Sequence, residues 1–172
     1  MCMKSCFFIG HREASEEIYS DLRAAVEQHI VEFGVTEFIV GHYGGFDKLA
    51  ARAVIDAKKT HPEVTLTLLL PYHPAERPMA APEGFDGTYY PLDMERVPRR
   101  VTIVRANRYM VDHVDYLIAY AWHPASNARE LLEYAKALEI QGKIKATQID
   151  KFRLNEYKMF CPPCTVYKGD FT

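Results

Sequence analysis

An α/β fold is predicted: a Rossmann-like open, mostly parallel sheet of five to six strands with helices on both faces. Three observations carry the prediction. Short apolar runs alternate with amphipathic helical segments along nearly the whole chain. Two of those runs, KSCFFI (4–9) and VTLTLLL (64–70), hold too many apolar residues for a sheet with one wet face, as expected of strands covered on both sides. Glycines close the first two runs, at Gly10 and Gly41, where a parallel strand must turn toward its helix.

After the first strand, Ser15 is placed to cap a helix, and Glu16 and Glu17 suit the positive end of its dipole. Ile18, Leu22, Ala25, Val26, Ile30 and Phe33 then share one face, and Gly34 stops the helix. TEFIV (36–40) is the second strand. A helix over about 46–60 turns Leu49, Ala53, Val54 and Ala57 inward, and Pro62 forbids its extension. VTLTLLL is the third strand. Residues 71–100 carry six prolines, too many for a long helix, and read as a cover for an active site or a decoration. VTIV (101–104) is expected to resume the sheet, followed by a short helix around 107–113 and the strand DYLIAY (115–120). Ser126 or Asn127 caps the last clear helix, which Gly142 ends, and IKATQI (144–149) is a sixth, edge strand. A single domain over 1–150 with an irregular tail over 151–172 follows.

The 172 residues include 21 basic and 23 acidic side chains, a net charge of −2. Apolar residues make up 48% and charged ones 26%, which excludes a disordered chain. No apolar run approaches the ~20 residues of a membrane span, and the opening MCMKSCFFIG is too quickly polar for a signal peptide, so a cytoplasmic protein without membrane attachment is expected. The densest basic stretch is Arg96, Arg99, Arg100, Arg105 and Arg108, and on the overall charge balance nucleic acid is an unlikely partner. A homodimer is expected on base rates alone.

Right-handed crossovers bring every loop that follows a strand to one edge of such a sheet, where ligands bind. Those loops read Gly10-His11-Arg12, Gly41-His42-Tyr43-Gly44-Gly45-Phe46-Asp47, Pro71-Tyr72-His73-Pro74, Arg105-Ala106-Asn107-Arg108 and Ala121-Trp122-His123-Pro124. Glycines ahead of a helix let backbone N–H groups approach a phosphate, although neither G-x-x-x-x-G-K-[ST] nor G-x-G-x-x-G is present. Arg12 can grip a phosphate or carboxylate in two places, or pair with Glu13, Glu16 or Glu17 instead. Asp47 is the candidate catalytic base or ribose contact, or simply caps its helix. Ser126 and Asn127, at a helix N-terminus, can hold a phosphate.

Four of the seven histidines, His11, His42, His73 and His123, follow four different strands, and Cys161-Pro-Pro-Cys164 has ligand spacing that Cys2 and Cys6 could complete. Polar pocket walls and free thiols are the simpler readings, so no metal and no cofactor are expected.

The motifs FFIGHRE (7–13), FIVGHYGGFDKLAARA (38–53), YYPLDMERVPRR (89–100) and RANRYMVDHVDYLIAY (105–120) stand in an order that resembles the SLOG superfamily, which joins the DprA/SMF and Lonely Guy (LOG) proteins. Within that superfamily the chain looks most like the YpsA-like proteins. The resemblance implies a pocket for a nucleotide-derived ligand, a nucleoside monophosphate or an ADP-ribose-like molecule. By position it assigns Gly10, His11 and Arg12 to a first ligand loop and Gly44, Gly45 and Asp47 to a glycine loop. It assigns Asn107, Met110 and Asp112 to a third segment. LOG enzymes cleave N-glycosidic bonds of nucleotides and carry PGGxGTxxE; here the stretch is YGGFDKLAAR, without the glutamate. The expected function is therefore binding of a nucleotide-derived ligand. The alternatives are an N-glycoside hydrolase, with Asp47 catalytic, and a DprA-like single-stranded DNA binder or partner-binding protein.

Overall fold

The strands that the sequence marks most strongly lie at the centre. A computed structural model describes residues 2–150, with β1 (Lys4–Gly10), β2 (Val35–Val40), β3 (Thr65–Leu69), β4 (Gly87–Tyr89), β5 (Tyr116–Tyr120) and β6 (Lys145–Gln148). They form one six-stranded sheet in the order β4-β3-β2-β1-β5-β6, and every pairing is parallel. Four helices cover it: α1 (Tyr19–Val31), α2 (Gly45–Lys58), α3 (Thr102–His113) and α4 (Asn127–Ile140). The tail over 151–172, with Cys161 and Cys164, lies outside the described residues.

Strand alternation divides the core in two. Cys6 and Phe8 of β1, Phe38 and Val40 of β2, and Ile118 and Tyr120 of β5 face α1 and α2, where they meet Leu22, Val26, Phe46 and Ala53. Phe7, Ile9, Ile39, Leu117 and Ala119 face the other way, toward Ala106, Met110, Leu132 and Ala135 of α3 and α4. The inward residues expected of α1 and α2 are buried or packed against the core, and Gly34 ends the first helical segment with a φ of 72°.

The structure corrects three readings. VTIV is not a strand: Thr102 begins α3, so Arg105, Ala106, Asn107 and Arg108 belong to a helix rather than a loop. The buried stripe Thr102, Ala106, Met110 has helical spacing that overrides the β-branched character of residues 101–104. The strand missing from that place is β4, three residues inside the proline-rich segment. Residues 70–86 are the crossover from β3 to β4, and the last three of them pack on α2. Lys58 Nζ donates to the Gly84 carbonyl at 3.1 Å and pairs with Asp86, and Phe85 joins the core. Ser15 precedes a 3-10 turn, Glu16–Ile18, and makes no side-chain capping bond, whereas Ser126 does cap α4, its Oγ accepting from the Arg129 N–H at 3.1 Å.

No described helix is long and apolar enough to cross a membrane. Among the described residues no group of three or more His, Cys, Asp or Glu side chains is placed to hold a metal ion.

Candidate functional site

Strand order reverses between β1 and β5. The chain leaves β1 for α1 on one face of the sheet and leaves β5 for α4 on the other, so their loops diverge and open a crevice at the carboxyl edge. A cavity of about 280 Å³ occupies it. Its walls are Gly10, His11 and Arg12 after β1; Gly41, Tyr43, Gly44 and Asp47 around the start of α2; Asn107 of α3; and Ser126 and Asn127 at the start of α4. These nine and Tyr43 come from four separate stretches, and only the tertiary fold makes them one site. Ile103, Val104, Ala128 and Leu131 add an apolar side, with Phe8 and Ile9 beneath.

The glycine loop serves packing here. The Gly45 N–H donates to the Arg12 carbonyl at 2.7 Å and the Phe46 N–H to the His11 carbonyl at 3.4 Å, so two first-turn amides of α2 hold the β1 loop rather than an anion. A Cβ at Gly45 would stand 2.7 Å from the Arg12 oxygen, and one at Gly44 2.9 Å from the Arg12 Cα. Backbone approach of this closeness needs glycine at both positions.

Asp47 lies in the first turn of α2, its Oδ2 accepting from the Tyr43 N–H at 3.0 Å. Burial pushes its carboxyl up to about 6, against the opposing pull of the Tyr43 amide and the His42 charge. A largely buried acid that titrates near neutrality, in the wall of a cleft, marks a functional-site candidate. When ionised it also repels a phosphate from that side.

The N-terminus of α4 is the better anion seat. Ser126 Oγ takes the Arg129 amide and the Ser126 carbonyl takes the Glu130 amide, which leaves the amides of Asn127 and Ala128 for a ligand at the positive end of the dipole. Arg12 is exposed at the rim and, among the described residues, makes no ion pair; Glu16 pairs with Arg52 instead.

The remaining expected residues lie elsewhere. His42 is exposed, its ring 6.0 Å from Tyr43. Gly45 sits under the β1 loop, and Pro71 is buried after β3. Tyr72 carries the Arg77 guanidinium 4.1 Å over its ring, beside Tyr43 rather than in the cavity. Met110 is core, and Asp112 accepts from the Tyr134 hydroxyl. No residue from 71 to 101 lines the cavity, so the proline-rich segment does not roof it. Ile103 and Val104 are not evident as site residues while 101–104 reads as a strand. The helical stripe at 102, 106 and 110 is the signal that places them.

No family model and no curated protein matches the sequence. Among solved structures, the chain is similar to DNA processing protein A from Helicobacter pylori, whose study concerns its mode of binding single-stranded DNA. The identity is 14%, with 91% of this chain and 80% of that one covered, and the TM-score is 0.50. The likeness is one of fold. It nonetheless corrects the expectation against nucleic acid, because a chain of this fold binds single-stranded DNA. Net charge averages over a surface on which Arg96, Arg99, Arg100, Arg105 and Arg108 are all exposed.

Proposed function

We propose that this protein is of the SLOG type, near the YpsA-like branch, and binds a nucleotide-derived anion in the crevice between β1 and β5. The ligand class is a nucleoside monophosphate or an ADP-ribose-like molecule. The observation that carries the reading is the cavity itself. It lies where strand order reverses, with an exposed arginine on one side and the open N-terminus of α4 on the other. Arg12 and the amides of Asn127 and Ala128 bind phosphate. Asn107 and Asp47 accept hydrogen bonds from ribose hydroxyls or a base, and Ile103, Val104 and Leu131 pack on the apolar part. In the hydrolase alternative, Asp47 is the general base.

Thermal unfolding with AMP, ADP-ribose, NAD and inorganic phosphate tests this. A ligand at about 100 times its Kd adds roughly 2.7 kcal/mol, a rise of several degrees in Tm. Arg12→Ala is expected to abolish the rise without lowering the Tm of the free protein. No rise with any of the four ligands would remove the nucleotide reading.

A second reading, single-stranded DNA binding, is favoured by the fold likeness and by the exposed arginines between 96 and 108. It predicts oligonucleotide affinity that falls steeply with salt. Anisotropy with a labelled oligothymidylate over a salt series decides it, since one phosphate contact gives a shallow salt slope and a strand spread over several arginines a steep one.

A further inference from the structure

His11 spans the crevice twice. Its backbone N–H donates to the Tyr120 carbonyl at 3.2 Å, extending the β1–β5 pairing by one residue. Its side chain then reaches three residues further, where Nε2 accepts the N–H of His123 at 3.1 Å. From His123 the bonding continues into the anion seat: Nδ1 of His123 accepts from the Ala125 N–H at 3.2 Å, and its carbonyl accepts from Ser126 Oγ at 2.9 Å. Ser126 in turn caps α4 through the Arg129 amide, and Arg129 Nη1 donates back to the Ala121 carbonyl. The loop between β5 and α4 is thus tied to the β1 loop through an imidazole nitrogen.

An Nε2 that accepts a hydrogen bond carries no proton, so the ring in this arrangement is neutral with its hydrogen on Nδ1. We propose that His11 is a positioning residue that, in its neutral form, locks the start of α4 against the crevice, and that protonation of Nε2 releases the lock. A protonated Nε2 is a donor facing another donor, the His123 N–H, and the two cannot bond. The relevance of the lock to ligand affinity rests on the nucleotide-site reading; the lock itself does not.

Among the described residues, the following groups face His11. From β5 and its loop come Tyr120, whose ring centroid is 5.7 Å away, Trp122 at 5.2 Å and His123 at 6.4 Å. Around the same cavity stand Arg12 on its own loop, Asp47 of α2 and the uncharged Asn107 of α3. Trp122 is the chain's one tryptophan, so its fluorescence reports this contact directly.

The test uses the free protein. Amide exchange of His123, expressed as protection and read by NMR between about pH 5 and 8, the range in which imidazoles titrate, is compared in wild type and His11→Gln. The Gln Oε1 accepts a hydrogen bond where Nε2 does and does not titrate. In wild type, protection of His123 should fall by about ten-fold per pH unit below a one-proton midpoint, with Trp122 emission following the same curve. In His11→Gln both should be flat over that range. Protection that stays constant in wild type, or a midpoint that persists in His11→Gln and so belongs to His123 or Asp47, would overturn the proposal. ADP-ribose, whose diphosphate keeps its charge across the range, then separates the two claims. No binding at any pH with the protection result intact defeats the ligand reading and leaves the lock standing. Binding that is unaffected by pH where the lock opens shows that the lock does not position the anion seat.

Discussion

Asp47→Asn should make the protein more stable at pH 8, by about 3 kcal/mol, and leave it nearly unchanged at pH 4. The sign follows from where the proton sits. In the unfolded chain this carboxyl titrates near ~3.9, whereas in the folded protein burial moves it to about 6. Between those values the unfolded chain holds fewer protons than the native one. Stability therefore falls as pH rises through this window, and the whole penalty is present above it. Asparagine carries no charge to desolvate and still offers an oxygen to the Tyr43 N–H. Urea denaturation of both proteins at pH 4 and pH 8 checks the prediction. An Asp47→Asn variant no more stable than wild type at pH 8 would mean that the carboxylate is well solvated and the site is not poised. A side chain that costs stability at neutral pH while lining a cavity is one whose presence folding does not explain.

Phe46→Ala should cost about 3–5 kcal/mol, among the largest losses for any single truncation in this chain. Phe46 is fully buried, stacks on Tyr120 with ring centroids 5.9 Å apart and meets Phe8 edge-on at 6.4 Å. It also lies against Gly10, where a Cβ would come within 2.3 Å of its ring. The same ring therefore fills the core above β1 and sets how closely α2 approaches the β1 loop. Loss of ligand-induced stabilisation should accompany the loss of stability, measured as the fall in denaturation midpoint with and without nucleotide. A cost below about 1 kcal/mol would mean that the neighbouring rings close the gap unaided.

Most of the fold was legible because both periodicities are strong. β1, β2, β3 and β5 are marked by apolar runs and the edge strand β6 by IKATQI, α1 and α2 by three- and four-residue spacing closed by Gly34 and Pro62, and α4 by its Ser126 or Asn127 cap and Gly142. At 101–104 four β-branched residues read as a strand, although a helical stripe begins among them. The three residues of β4, Gly-Thr-Tyr, could not be found, since they are half-buried or exposed and their strand character is conferred by backbone pairing to β3. At the site, four of the five loops stand where the sequence puts them, 105–108 being helical instead, and the Gly45 amide meets a carbonyl rather than a ligand. Glycines that admit a phosphate and glycines that admit a neighbouring carbonyl look alike in sequence, and only the bond from the Gly45 amide to Arg12 separates them.

The all-parallel sheet has a practical consequence at its two ends. β1 begins at the edge opposite the crevice, whereas β6 still runs beside β5 at Ile149, whose N–H donates to the Ala119 carbonyl at 2.8 Å, one residue short of the strand's end. A polypeptide attached after residue 150 therefore starts on the same side of the molecule as the binding crevice, and one attached ahead of β1 starts on the far side. Surface immobilisation for binding assays belongs at the amino end, where the tether leaves the crevice open. A fluorophore meant to sense an occupied crevice belongs just beyond β6.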